Sequence, residues 1–571
     1  MRQIIVLLAA IAIALVGCDT STPSDPGPVE ATETPAANQS SATTVDPFWR
    51  NATIYFLLTD RFANGDPSND NAYGRVSDGA PLRSFMGGDI AGMNQKLAEG
   101  YFSDLGITAL WTTPLIEQIS SPFDEYGRSY PYHGYWPRDW TTTDKGFGTE
   151  AEFAQMIELA HEQKIRIVMD VILNHAGPPV NETDPAWPED WVRTEPRCDW
   201  GSFDGVATCL IVPALQDIRT ESDAPVGLPP HLIAKWEREG RLDQELAELD
   251  AFFERTEYPR APKYYIIKWL TDWVREHGID AFRIDTAKHV DPEVWAALKT
   301  EAEIAFADWK TANPDNVIDD RDFYMFGEVF NFGANGFQYS VAGTRDYDFG
   351  DRRVDFFDYG FDGLINMAFA THARLPVPDL FQLYANELAD PFGGVALVNY
   401  ISSHDDMAPL DPERKDPYGT AVKLLLAPGS AQIYYGDELG RSLVVEGTTG
   451  DATLRSFMNW DALETKDGQA LLTHWQRLAQ FRGRHPAIGA GVHTKLAWSP
   501  YTFSRVLDEG DYSDRVVVAL PDQPIEALDV YGVFADGTEV REAYSGEIFI
   551  VQDSIVEFST RRQIALLERA P

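Results

Sequence analysis

Short, nearly continuous apolar runs recur along the chain, separated by polar stretches of helical periodicity. The clearest runs are residues 53–58, 107–111, 165–173, 279–284, 323–326, 396–401 and 431–435. Their length and nearly continuous apolarity predict strands covered on both faces. A weaker run at 354–358 is taken as the sixth of eight strands. Between them, 150–163, 264–277 and 292–309 repeat apolar residues every three or four positions, which predicts amphipathic helices. Repeated strand–helix units imply a parallel sheet, and eight strands fit an α/β fold of the (β/α)8 TIM-barrel type.

Two stretches break this rhythm. The gap from Asn174 to Tyr264 is far too long for a strand-to-helix loop and is rich in Pro, Trp and acids. It predicts a domain B inserted after strand 3 over residues 176–262, which divides the barrel into 46–175 and 263–484. Beyond about residue 484 the pattern changes to short alternating strands at 501–503, 516–520, 527–533 and 547–551, which predicts a C-terminal antiparallel β-sandwich over 485–571. At the other end, Arg2 precedes an apolar run at 4–16 that has the length of a signal h-region and is too short to span a bilayer comfortably. That run ends Leu15-Val16-Gly17-Cys18, which resembles the bacterial lipobox. Residues 1–17 then read as a lipoprotein signal peptide, Cys18 as the lipidated first residue, and 18–45 as a Ser/Thr/Pro-rich tether. The expected location is outside the cytoplasm, anchored to a membrane and facing the periplasm or cell exterior. An ordinary signal peptide that happens to contain a cysteine is the alternative.

Composition narrows the function classes. Hydrophobic residues at 44% and aromatics at 12% exclude disorder as the main state of the 571 residues. Lys plus Arg number 47 against 89 Asp plus Glu, a net charge of −42. Such a surface repels phosphate backbones and anionic lipid, so nucleic acid is excluded as a partner and membrane contact is left to the N-terminal anchor. Acidic, Lys-poor surfaces of this kind resemble those of salt-adapted proteins. After Cys18 only Cys198 and Cys209 remain, in a Gly/Asp/Trp-rich segment. A disulfide closing this short loop is expected, worth about 3 kcal/mol in the chain-entropy picture. The spacing lacks the second Cys or His pair of a zinc site.

Polar residues gather just after four of the apolar runs. The clusters are Asp170-Val171-Ile172-Leu173-Asn174-His175, Asp280 to His289, Gly327-Glu328-Val329, and Ser402-Ser403-His404-Asp405-Asp406. In a barrel these points form the C-terminal rim, where active sites are built. Asp285, Glu328 and Asp405 therefore share one rim. Arg283 lies two residues before Asp285, on the same side of its strand, and can hold that carboxylate ionised. Neighbouring carboxylates push their pKa values apart, so one serves as acid while another stays charged, the division that glycoside hydrolysis needs. Scattered surface acids are plentiful here, but four clusters in order at strand ends argue against chance.

These four clusters resemble the conserved regions of the α-amylase family, glycoside hydrolase family 13, over about residues 48–570. The resemblance implies Asp285 as nucleophile, Glu328 as general acid/base and Asp405 as the carboxylate that binds and distorts the sugar. It implies substrate contacts for Arg283, His175, His404 and Lys288. It also implies contacts for His133 and Tyr135 in Tyr132-His133-Gly134-Tyr135-Trp136, with Tyr135 stacking on the sugar. The nucleophile and acid/base carboxyls are expected about 5–5.5 Å apart, as in retaining enzymes.

Calcium, at one or two sites, is the implied cofactor. Asn64-Gly65-Asp66-Pro67-Ser68-Asn69-Asp70 offers closely spaced oxygens of the kind Ca²⁺ prefers. It resembles a calcium loop of cyclodextrin glucanotransferases and related amylases, completed here by Gly87-Gly88-Asp89. A second family site maps to Asn174, Asp217 and the carbonyl of His289. There Leu215-Gln216-Asp217-Ile218-Arg219 departs from the family pattern, and Arg219 brings a cation towards a cation site. The phrases around Asp60-Arg61-Phe62 and Asp217-Ile218-Arg219 look most like periplasmic α-amylases of Gram-negative bacteria. The implied function is a monomeric α-amylase acting on α-1,4-glucosidic bonds of starch or maltodextrins. The alternatives are a transglycosylase or cyclodextrin-active enzyme of the same family and a non-catalytic glucan-binding lipoprotein. All three carboxylates are present, which argues against the last.

Overall fold

The computed structural model describes residues 44–571 except Glu125, Pro521 and Asp522. The expected signal segment, the expected lipidation at Cys18 and the expected tether up to residue 43 lie outside the described residues. Among the described residues no helix is long and apolar enough to cross a membrane.

Eight parallel strands close into a barrel: β1 (Thr53–Leu57), β2 (Ala109–Thr112), β3 (Arg166–Val171), β4 (Ala281–Ile284), β5 (Tyr324–Gly327), β6 (Gly363–Asn366), β7 (Ala396–Tyr400) and β8 (Ser430–Tyr434). Each pairs with its sequence neighbours, and β8 returns to β1. Every residue of these strands is buried, including the polar Arg166, Asp170, Arg283, Asn366, Asn399 and Gln432 set among the apolar ones. The principal helices are α1 (Ile90–Ala98), α2 (Glu150–Glu162), α3 (Pro262–His277), α4 (Pro292–Ala312), α5 (Val377–Ala389), α6 (Pro417–Leu425) and α7 (Lys466–Arg484). A Thr149/Glu152 capping box starts α2, and Pro at the first turn starts α3 and α4.

Strand 6 differs from the sequence reading. The stretch 354–358 is not a barrel strand. Arg353–Val354 pairs in a small hairpin with Tyr347–Asp348, and Phe356–Tyr359 is a 3₁₀ turn. Asp355 drives that turn: its carboxylate accepts from Phe357 N at 3.0 Å and is held by Arg345 at 2.7 Å. The strand follows at Gly363–Asn366, fixed by Asp362, whose carboxylate accepts from Met325 N on β5 and from Lys299 on α4.

The insert after β3 carries a three-stranded sheet (His175–Ala176, Gln216–Ile218, Val192–Arg193) and helices Phe203–Ala207, Pro230–Glu239 and Leu242–Thr256. Cys198 and Cys209 form the expected disulfide, Cα–Cα 4.7 Å.

Among the described residues, the C-terminal region has eight antiparallel strands: β9 (Val492–Trp498), β10 (Tyr501–Glu509), β11 (Tyr512–Leu520), β12 (Ile525–Asp529), β13 (Glu539–Glu542), β14 (Glu547–Ile550), β15 (Ile555–Arg562) and β16 (Ala565–Arg569). Six form one sheet in the order β9-β10-β11-β16-β13-β14, and β12 pairs with β15 as a smaller second layer. Period-2 alternation splits β11 between two cores. Val516, Val518 and Leu520 join the barrel's core, with Phe503 against Phe381 of α5 at 5.5 Å, whereas Val517 and Ala519 join Leu528, Val540 and Val556 in a separate one.

Candidate active site

The rim acids converge on one guanidinium. Arg283, near the end of β4, is almost wholly buried. One terminal nitrogen donates to Asp285 Oδ1 at 2.8 Å and to Asp170 Oδ1 at 2.8 Å, while the other lies 3.0 Å from Glu328 Oε2. The pairing with Asp170 follows from parallel register, since Arg283 and Asp170 are partners across β4 and β3. Glu328 follows directly on β5 and also accepts from Thr286 N at 3.1 Å. Gly327 before it has no room for a side chain: a Cβ there would come within 2.5 Å of the Phe361 ring.

Burial sets the proton affinity of the pair. It pushes both carboxyls up, Arg283 opposes it in each case, and neighbouring acids add to it. Asp285 rises to about 6 and Glu328 to about 7. The two protons belong to the pair as a unit, so the site favours one proton on two carboxylates near neutrality. Asp405 behaves oppositely. Desolvation raises it, but His404 and Arg455 outweigh that and hold it well below the usual carboxylate range. Its side chain is open to solvent, with His404 Nε2 at 3.0 Å and Arg455 also paired to it.

The aromatic wall beside these acids is built from the 132–136 segment. Tyr135 donates from its hydroxyl to Asp170 Oδ2 at 2.8 Å and stacks on His404 at 5.3 Å and His133 at 5.9 Å. His133 Nδ1 accepts from Tyr135 N at 3.0 Å, so its proton sits on Nε2, and burial, then Arg455 and Arg83, keep the ring neutral. His175 is buried with Nε2 3.0 Å from the Tyr135 carbonyl, leaving Nδ1 as the ring atom without a protein partner. Lys288 Nζ donates to Phe330 O and Tyr347 Oη, each at 3.2 Å. Burial lowers it to about 8.

Two functional side chains escaped the sequence reading. Asp170 was seen only as part of a cluster, yet Arg283, Tyr135 and Trp111 Nε1 (3.0 Å) all meet on it. Arg455 comes from the loop after β8, donates to the His404 carbonyl at 3.1 Å and also pairs with Asp451 at 2.6 Å. Asp451 in turn meets Arg83 at 2.8 Å. Arg455 follows no apolar run, and only its spacing of four from Asp451 could have hinted at a pair.

Both oxygen-rich sets suit calcium. In the first, Asp89 accepts from Gly65 N, Asp66 N, Asn69 Nδ2 and Gly92 N, drawing the loop around itself. Asn64 Nδ2 meets Asp70 Oδ1 at 2.8 Å, Gly87 packs against both, and Asn69 Oδ1 is buried without a protein partner. In the second, Asn174 Oδ1 and Asp217 Oδ1 are likewise buried without partners. Arg219 points away: its Nε donates to the Glu189 carbonyl at the surface, at 2.8 Å. His289 approaches from the barrel, its Nδ1 3.0 Å from Val206 O, beside the Cys198–Cys209 disulfide.

Comparison with known proteins decides the family. The family model for the alpha amylase catalytic domain matches residues 56–486. The periplasmic alpha-amylase of Escherichia coli strain K12 is 36% identical over 532 residues, covering 83% of this chain and 72% of that protein. The chain belongs to the α-amylase family. As a member it is a glycoside hydrolase built on the family's TIM barrel with additional domains. A cyclomaltodextrin glucanotransferase of Geobacillus stearothermophilus is 26% identical over 494 residues, and the match spans 84% of this chain but 61% of that enzyme. Among solved structures, an Anoxybacillus alpha-amylase shares the fold with a TM-score of 0.63 at 22% identity, covering 92% of this chain and 99% of that one.

Proposed function

We propose that this α-amylase-family enzyme hydrolyses α-1,4-glucosidic bonds of starch or maltodextrins with retention of configuration. The observation that carries the proposal is the single guanidinium of Arg283 spanning Asp285 and Glu328. It brings two carboxyls of different proton affinity to one point, as a double displacement requires.

Glu328, the group more readily protonated, donates its proton to the glycosidic oxygen. Asp285 attacks the anomeric carbon, the bond to the leaving sugar breaks, and a glycosyl ester forms on Asp285. Glu328, now a carboxylate, takes a proton from water, which attacks the same carbon and releases Asp285. Asp405, kept ionised, accepts hydrogen bonds from the sugar hydroxyls, and Tyr135 presents its ring to the sugar face. His133, His404 and His175 complete that sugar pocket, with His175 acting chiefly through the Tyr135 carbonyl.

Calcium would be held by Asn64, Asp66, Asn69, Asp70, the Gly87 carbonyl and Asp89, and by Asn174, Asp217 and the His289 carbonyl. Bound there it supplies cross-links that tie the β1 loop, and the insert to the barrel. Export by residues 1–17 with lipid on Cys18 accords with the sequence and with the periplasmic description of the Escherichia coli relative.

A product time course on soluble starch and defined maltooligosaccharides tests the reading, with the anomer followed by NMR. Shorter linear products appearing first as the α-anomer are expected. No new reducing ends, or β-anomers first, would overturn it; cyclic or elongated products would favour transglycosylation.

A further inference from the structure

Every polar handle of Glu328 goes to one short segment. Its backbone N–H donates to Ile284 O at 2.8 Å, its carbonyl accepts from Ala287 N at 2.9 Å, and its carboxylate accepts from Thr286 N at 3.1 Å. That segment is the turn after β4 that carries Asp285. Among the described residues, Thr286 N is the one hydrogen-bond donor to the Glu328 carboxyl, and it meets Oε2. The Arg283 guanidinium lies 3.0 Å from the same oxygen. Oε1 has no partner among the described residues.

The backbone is bent to make this possible. In an extended strand, successive N–H groups point to opposite sides. Thr286 and Ala287 both turn theirs to Glu328 because Thr286 is left-handed, with φ 51° and ψ 34°. Glycine, asparagine and aspartate suit that region, whereas a β-branched residue there is strained. Of the described non-glycine residues with positive φ, Thr286 is the one that is β-branched. Its hydroxyl does not account for the conformation, since Oγ1 is buried without a protein partner. The neighbouring bonds impose it. Asp285 N donates to Val171 O on β3 at 2.9 Å, and His289 N donates back to Thr286 O at 2.9 Å. A strained residue wedged between two reacting carboxyls points to a use for the strain.

We propose that Thr286 is a positioning residue for the acid/base: its left-handed turn aims the backbone N–H at Glu328 Oε2 and so places the catalytic proton on Oε1. This rests on the glucan-hydrolase reading above. A peptide N–H can only donate, and a guanidinium repels a proton, so Oε2 is the oxygen that stays unprotonated. The proton then passes from Oε1 to the glycosidic oxygen. The electron pair of the breaking C–O bond leaves with that oxygen, and Asp285 forms the new bond to carbon.

The test removes the N–H and little else, by converting the peptide bond at residue 286 to an ester with the α-hydroxy analogue of threonine. Activity is compared on maltoheptaose and on α-maltotriosyl fluoride, whose leaving group needs no proton. The ester is expected to lower kcat/KM about ten- to thirtyfold on maltoheptaose and less than about threefold on the fluoride. Losing a bond that favours the carboxylate should also move the alkaline limb of the maltoheptaose profile to higher pH. Thr286→Gly keeps the N–H but frees the backbone, and is expected to show the same split at smaller size. In a crystal structure of Glu328→Gln, the side-chain oxygen should accept from Thr286 N and the amide nitrogen should face the cleft. Melting temperature reports whether each variant is folded. Equal losses on both substrates, an unmoved alkaline limb in the ester, or a glutamine turned the other way would overturn the proposal. A wild-type protein active on neither substrate would instead overturn the glucan-hydrolase reading itself.

Discussion

Arg283 and Asp170 are register partners on adjacent parallel strands, and their side chains meet at 2.8 Å inside the barrel mouth. Asp170 has no reacting role in the proposed mechanism, yet it holds the cation that spans Asp285 and Glu328. Asp170→Asn is expected to lower kcat on maltoheptaose by ten- to a hundredfold with a smaller change in KM, because a small displacement of the reacting groups costs that much. Loss of a buried partner should also destabilise the fold by about 3 kcal/mol. Denaturant melts and steady-state kinetics check both, and an unaltered kcat would contradict the role.

The coupled pair fixes the pH dependence. In the proposed mechanism activity needs Asp285 ionised and Glu328 protonated, so it rises as the first proton leaves the pair and falls as the second does. With the values pushed up to about 6 and about 7, kcat/KM should trace a bell with its maximum between them. Glu328→Gln should abolish turnover of glucan and leave residual reaction with glycosyl fluorides, which need no proton on the leaving group. Asp285→Asn should lose both. A flat profile from pH 5 to 9 would refute the assignment.

His404 and, after it, Arg455 keep Asp405 ionised. Arg455→Met is expected to let Asp405 rise towards the ordinary carboxylate range of about 4. Activity near neutrality should fall about tenfold, and the deficit should deepen as pH drops towards that range. A deficit constant with pH would indicate lost packing instead.

Calcium binding to the native state alone would stabilise it by about 3 kcal/mol at a hundredfold excess over its dissociation constant. Chelation should therefore lower the melting temperature, with recovery on adding Ca²⁺. Asp217→Asn should remove part of that response and Asp89→Asn another part, though Asp89 also ties its own loop together. A melting temperature insensitive to chelator and to added Ca²⁺ would exclude both sites.

His485 joins the end of α7 to the C-terminal sheet, meeting Asp514 Oδ1 at 2.8 Å and Glu568. Burial lowers its proton affinity, but the two carboxylates outweigh this and raise it. A histidine raised on folding contributes its stability fully below its unfolded value of about 6.5, and the contribution disappears as pH climbs through the folded value. His485→Gln should thus cost about 1–2 kcal/mol in mild acid and progressively less in alkali. Unfolding curves at several pH values decide this.

Seven barrel strands were legible because each is a compact apolar run, and the rim acids were legible because they follow those runs directly. The sixth strand was not. Gly363-Leu364-Ile365-Asn366 has two large apolar residues, whereas Phe356 and Phe357 nearby look stronger and are spent on a 3₁₀ turn. Arg455 was hidden for another reason: its partner is brought from 50 residues away by barrel closure, a relation without local periodicity. Arg219 shows the converse, since adjacency in sequence suggested a positive charge beside the expected cation site at Asp217, which its outward side chain avoids.

The sheet that closes the chain has a further meaning. Alternate residues of β11 belong to two different cores, one of them the barrel's. Arg505 of β10 reaches the Leu426 carbonyl, inside the barrel's own helical layer. Cutting the polypeptide at the boundary its pattern suggests would strip one face of the catalytic barrel. Barrel and sandwich should therefore melt together in one cooperative transition, and the boundary near residue 485 divides the sequence without dividing the folding unit.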